Sequence, residues 1–176
     1  RTLADEKDLK DKWPEFGNEP LILILDEITD PRNLGACLRT ANAAGVDAVI
    51  MPKRNSAPLS PVVLKTAQGG AEGLFLVQVT NLARTIAWLQ GQGVWVLGAD
   101  GEGGTVWDTM DSKGPTALVM GSEGKGLRRL TRSLCDHLVS IPMLGSVESL
   151  NVSVATGVLL YEMVRQRAVA AKTDGS

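Results

Sequence analysis

Six short apolar runs recur along this chain, at Leu21 to Leu25, Ala48 to Met51, Leu74 to Val79, Val94 to Leu97, Ala117 to Met120 and His137 to Ile141. They are continuous rather than alternating, the pattern of strands buried on both faces. The stretches between them, 33–44, 61–69, 82–90, 127–134 and 150–167, have helical character and supply covering layers. Together they predict an α/β fold built on a parallel sheet. In the last helical stretch Val152, Ala155, Leu159 and Met163 keep one apolar stripe, which packs on the sheet or on a partner subunit.

A length of 176 residues with 44% apolar content and 22% charge suits one globular domain. Residues 1–20 are rich in charge, contain Pro14 and Pro20 and show no apolar period, so they are expected to form a linker or loosely docked arm. The domain proper is expected over 21–167, with a frayed tail over 168–176. No apolar stretch approaches the roughly 20 residues of a membrane span, and no signal peptide is recognisable, so the expected setting is cytoplasmic without a membrane partner. Cys37 and Cys135 lack the spacing of a disulfide framework or a zinc site and are read as packing residues, with no metal expected. The net charge of −2 gives no global attraction to a polyanion. Nucleic-acid contact would have to be local, and basic residues do cluster, with Arg32, Arg39, Lys53, Arg54 and Lys65 in one third of the chain and Lys125, Arg128, Arg129 and Arg132 in another.

Ligands of open parallel sheets sit beyond the carboxyl ends of the strands, and three such places carry polar or glycine-rich residues. After the first run, Asp30 and Pro31 lead into Asn33, Leu34, Gly35 and, farther on, Arg39, Thr40 and Ala41. Asn33 is either a helix cap or a functional amide, and Arg39 a surface arginine or a substrate contact. After the fifth run comes Gly121-Ser122-Glu123-Gly124-Lys125-Gly126-Leu127, whose glycines permit close backbone approach to a ligand or simply a turn. It is no Walker loop, because Leu127 and Arg128 stand where Lys and Ser/Thr are required, and the Gly98 to Gly104 stretch lacks the third glycine and following helix of a dinucleotide fingerprint. After the sixth run, Ile141-Pro142-Met143 leads through a loop to Ser149, Leu150 and Asn151, residues that cap a helix or serve a site. The only histidine, His137, has no G-x-S-x-G serine to meet, which counts against a serine hydrolase.

Taken in this order, the segments resemble the three motifs of the SpoU family of ribose methyltransferases, within the SPOUT superfamily. The first resides in Asn33, Arg39-Thr40-Ala41 and Gly45, the second in Gly121-Ser122-Glu123-Gly124 with Gly126-Leu127, and the third in Ile141-Pro142-Met143 with Ser149-Leu150-Asn151-Val152. The resemblance spans about Leu21 to Arg167. It implies a Rossmann-like sheet whose C-terminal segment forms a deep trefoil knot, a homodimer, and S-adenosylmethionine as methyl donor. It further implies methylation of the ribose 2′-hydroxyl of a guanosine in 23S ribosomal RNA; a tRNA nucleotide, or a non-catalytic RNA-binding module of the same fold, are the alternatives. By the same resemblance Gly98, Ala99, Gly121, Ile141, Met143 and Leu150 would hold the cofactor, and Arg39, Asn33, Glu123, Ser149 and Asn151 would serve the transfer. Arg32, Lys53, Arg54, Arg128 and Arg129 are the candidate RNA phosphate contacts. An arginine stays protonated, so Arg39 is expected to orient the 2′-oxygen or stabilise a developing alkoxide, with Glu123 as alternative proton acceptor.

Overall fold

A computed structural model describes residues 3–61, 63, 74–101, 104–122 and 124–173. The predicted helix over 61–69, and Glu123, therefore lie wholly or mostly outside the described residues. Seven parallel strands, β1 (Leu21–Asp26), β2 (Ala48–Pro52), β3 (Leu76–Val79), β4 (Trp95–Ala99), β5 (Thr105–Val106), β6 (Thr116–Gly121) and β7 (His137–Ser140), form one sheet in the order β3-β2-β1-β6-β4-β7-β5. Every residue of β1, β2 and β6 is buried, as their unbroken apolar runs require. β5, two residues long, pairs only with β7 and was too short to show in the apolar pattern.

Strand alternation divides the core into two layers. On one face Leu23, Leu25, Val49, Met51, Leu118 and Met120 meet α2 (Pro31–Ala43) and α5 (Val152–Thr173). On the other, Ile22, Ile24, Ile50, Val77 and Val119 meet α1 (Glu6–Lys12) and α3 (Leu82–Gly91), with the short α4 (Arg129–Leu134) beside α3. The contacts of α2 with α5 climb together in sequence: Asn33 with Asn151, Cys37 with Thr156, Thr40 with Gly157. The two helices thus run parallel, and their N-termini lie side by side at the carboxyl end of the sheet.

Residues 3–20 are docked, not loose. Ala4 bridges Val77 at the β3 edge, α1 opens with a capping box between Asp5 and Asp8, and Leu9 is fully buried. Burial of that one leucine stabilises the arm by about 2 kcal/mol, and Trp13 meets Trp88 edge-on at 5.4 Å. The segment reads as a linker in sequence because a seven-residue helix with one buried position is too short to display a period. At the other end α5 continues to Thr173, past the tail boundary at 168, and Arg167 is the reason the helix stays anchored there: it donates to the carbonyls of Glu19 and Gly114 at 2.7 and 2.5 Å.

The cysteines pack as expected. Cys37 is fully buried, and burial pushes the Cys135 thiol up to about 12. Because the thiolate is the reactive form, iodoacetamide at about pH 8 is expected to leave both cysteines unmodified in the native chain and to alkylate both in urea. Mass spectrometry reads the outcome, and rapid native labelling of Cys135 would contradict it.

Candidate active site

A cleft of about 530 Å³ opens at the carboxyl ends of β4, β6 and β7. Ala99 ends β4 and Asp100 follows it, Gly121 ends β6 and Ser122, Gly124, Lys125 and Gly126 follow it, and Ile141, Met143, Ser149 and Leu150 follow β7, so three strand ends that are far apart in sequence converge on one space. Such a volume is ordinary for a small-molecule site. Val139 and Val152, both buried, form its floor.

The turn after β6 is folded back on its own strand. The Gly126 amide donates to the Ser122 carbonyl at 2.8 Å, and Gly126 adopts φ 68°. A Cβ at Gly121 would lie 2.3 Å from the Gly126 carbonyl group, so no residue with a side chain fits there. Of the six residues expected at a cofactor site, Ala99, Gly121, Ile141, Met143 and Leu150 line the cleft. Gly98 does not; it lies inside β4, where a side chain would approach Cys135 Sγ to 2.6 Å.

Asn33 and Asn151 meet where the two helix N-termini adjoin. Asn151 Nδ2 donates to Asn33 Oδ1 at 3.0 Å, while Asn151 Oδ1 accepts from the Ser153 amide at 2.9 Å and so caps α5. Asn33 is not the cap of α2. Asp30 takes that role, accepting from the amide of Arg32 at 2.8 Å, because Pro31 starts the helix two residues earlier than expected. The helix dipoles make this corner favourable to negative charge. Ser149 is on the cleft wall close by in sequence, whereas Arg39 lies on the exposed face of α2 and is not among the residues lining the cleft. It makes no ion pair with any described residue.

The basic residues separate into two kinds. Arg32, Lys53, Arg54 and Arg129 are exposed near strand carboxyl ends, on the same side of the sheet as the cleft. Arg128 is different, because its guanidinium is already paired within the chain. Its Nη2 stands 2.6 Å from Oδ1 of Asp26, a carboxylate with no exposed side-chain surface, and its Nη1 stands 3.3 Å from Glu27. Its charge is spent on a neighbour that burial would otherwise destabilise. Glu27 adopts φ 62°, an unfavourable conformation for a non-glycine residue, and is held by Arg128 and by Asn55 Nδ2 at 3.2 Å. One signal of this lock was present in the sequence: Asp26 is the single charge closing an otherwise apolar strand.

Lys125 and Glu148 also line the cleft and were not singled out for it by the sequence. Among the described residues no group of three or more His, Cys, Asp or Glu is placed to hold a metal ion, and no helix is long and apolar enough to cross a membrane.

Residues 20–161 match the model of the SpoU rRNA Methylase family. A protein named 23S rRNA (guanosine-2′-O-)-methyltransferase RlmB from Pseudomonas putida is 63% identical over 150 residues, covering 85% of this chain and 60% of that protein. The Haemophilus ducreyi protein of the same name is 58% identical, covering 93% and 66%. The chain thus spans about 60% of the length of the first of these curated relatives. Among solved structures, the SpoU methyltransferase AviRb from Streptomyces viridochromogenes, in complex with the cofactor AdoMet, superposes with a TM-score of 0.79 at 32% identity over 86% of this chain and 62% of that one. The A. aeolicus TrmH/SpoU tRNA modifying enzyme gives a TM-score of 0.76 at 28% identity over 94% and 85%. The match covers all seven strands, the folded-back turn after β6 and the start of α5 with Asn151, and on these grounds the chain belongs to the SpoU rRNA methylase family.

Proposed function

We propose that this chain transfers the methyl group of S-adenosylmethionine to the ribose 2′-hydroxyl of a guanosine in 23S ribosomal RNA. The observation that carries the reading is the cleft itself, a small-molecule pocket walled in part by Gly121, Ser122, Gly124 and Gly126 and joined in sequence, through Ser149 to Asn151, to the paired amides of Asn33 and Asn151. The name borne by relatives about 60% identical supplies the nucleotide and the RNA, and the AdoMet complex of AviRb supports the cofactor.

The residues present fit that cofactor. Ile141, Met143 and Leu150, partly buried, offer an apolar wall to an adenine ring, and the close approach enforced at Gly121 leaves backbone groups for its polar edge. When bound, the cofactor supplies an activated methyl group on a sulfonium centre. The protein's task is alignment of the ribose oxygen and stabilisation of its developing charge. Asn33 and Asn151 fix one another at the helix N-termini and are suited to position the ribose; Ser149 is a further hydroxyl at the cleft wall. Arg39, permanently charged, stabilises the oxygen as its proton departs, and Glu123 is the proposed acceptor of that proton.

Arg39 does not line the cleft of its own chain, and a homodimer accounts for this. Tyr161 and Val154 leave about half of their surface exposed on α5, and Leu144 and Val147 are exposed beside the cleft. Burying these apolar groups between two copies would bring α2 of one protomer toward the cleft of the other. The knot belongs to the same proposal and is supported by membership of the family. A ribosomal RNA substrate goes with a cytoplasmic setting.

The exposed Arg32, Lys53, Arg54 and Arg129 are proposed to contact RNA phosphates. Replacing Lys53 and Arg54 together by glutamine should reduce the slope of log affinity against log salt by about 1.5 to 2. Filter binding across a salt series measures it, and an unchanged slope removes both from the interface. The function is tested by transfer of labelled methyl to 23S and transfer RNA. Label on a guanosine 2′-oxygen of 23S RNA is the expected outcome, label confined to tRNA would move the substrate, and cofactor binding without transfer to any RNA would favour a binding module.

A further inference from the structure

Methyl transfer changes the charge inside the cleft. An electron pair of the ribose oxygen forms the new O–C bond, the C–S pair returns to sulfur, and the hydroxyl proton leaves to the acceptor. The sulfonium becomes a neutral thioether, so S-adenosylmethionine and S-adenosylhomocysteine differ by one positive charge and one methyl group. Their amino-acid tails, one ammonium and one carboxylate each, are identical. An enzyme that must exchange the second for the first gains from a wall that distinguishes their charge.

Among the described residues, the ionisable side chains lining the cleft are Asp100, Lys125 and Glu148. Asp100 is neutralised by Arg132, whose Nε donates to it at 2.5 Å. Lys125 belongs to the turn after β6, and Glu148 to the segment after β7, next to Ser149. Glu148 has no hydrogen bond or ion pair with any described residue. Among the described residues it is therefore the cleft carboxylate whose charge no neighbour on its own wall cancels.

We propose that Glu148 is a specificity-determining residue that favours the cationic methyl donor over the neutral product, a proposal that rests on the reading of this cleft as the S-adenosylmethionine site. Coulomb attraction acts over several ångströms, so no direct contact with sulfur is required. Lys125 suits the tail carboxylate, which donor and product share, and its charge acts on the sulfonium in the opposite sense to that of Glu148. Glu148 is exposed, and water and salt weaken its field; the expected discrimination is about three- to tenfold at low ionic strength and shrinks as salt is added.

The test is calorimetric titration of the full chain and of Glu148→Gln and Glu148→Asp with S-adenosylmethionine, S-adenosylhomocysteine and sinefungin, in which an ammonium group replaces the sulfonium methyl. In Glu148→Gln the affinities for S-adenosylmethionine and sinefungin should fall about three- to tenfold while that for S-adenosylhomocysteine holds, and Glu148→Asp should retain most of the preference. Parallel weakening of all three ligands would assign Glu148 to the shared ammonium tail and overturn the proposal. Unchanged ratios, the result if Lys125 cancels Glu148 across the cleft, would overturn it equally. A wild-type chain that binds none of the three fails at the functional reading itself, whereas one that binds all three with ratios unmoved by Glu148→Gln loses only this proposal.

Discussion

Arg39→Ala should lower methyl transfer by about a hundred- to a thousand-fold, the range seen when one charge-stabilising donor is removed from a transition state. The guanidinium stands on an exposed face of α2, has no partner among the described residues and does not line the cleft of its own chain, so the fold of the protomer does not depend on it. Cofactor affinity should change by less than about twofold, since the contact proposed for Arg39 is with the ribose oxygen as it gains charge and not with the cofactor. Single-turnover transfer with pre-bound cofactor measures the first quantity, and calorimetry the second. Lysine at the same position restores a charge without the planar fork and is expected to recover only part of the rate. Loss of cofactor binding together with residual transfer would reverse the role assigned to Arg39.

The second large effect is on stability. Asp26 carries a carboxylate with no exposed side-chain surface, and Arg128 reaches it through Nε at 2.9 Å and Nη2 at 2.6 Å while also holding Glu27. Arg128→Ala leaves that buried charge unpaired and is expected to destabilise the chain by about 3 kcal/mol, the lower end for a broken buried pair because the arginine itself is half exposed. Urea denaturation reads the loss. Adding Asp26→Asn to Arg128→Ala should recover part of it, because the uncompensated charge is then gone, and a double-mutant cycle isolates the coupling. Arg128 also fastens the end of the Gly121–Gly126 turn to the end of β1, so cofactor affinity should fall in Arg128→Ala even where the protein remains folded. Full stability in that variant would mean that Asp26 finds other compensation.

The strands β1, β2 and β6 and their buried nature were legible because an apolar run such as Leu21 to Leu25 admits few other fates, and the core clusters divide those runs between two faces as strand alternation demands. The docked arm was not legible. Leu9, Trp13 and Phe16 stand among charges in too short a segment for periodicity, and their value appears only where α3 and β3 receive them. Pairing of Arg128 was hidden for a related reason: Asp26 lies 102 positions away, and sequence spacing carries no information about that distance.

The residue types for a ligand site were likewise visible one motif at a time: glycines after one strand, an amide after another, Asn33 near a helix start. By itself the sequence determined which strand ends bear glycine, amide and carboxylate groups, because those groups follow apolar runs directly. Tertiary structure alone decided that β6 enters between β1 and β4, which brings the ends of β4, β6 and β7 to one cleft, and that α2 and α5 pack in parallel, which places Asn33 against Asn151. The physical reason is that local propensity acts over a few residues, whereas strand order and helix packing are set by burying a whole sheet at once.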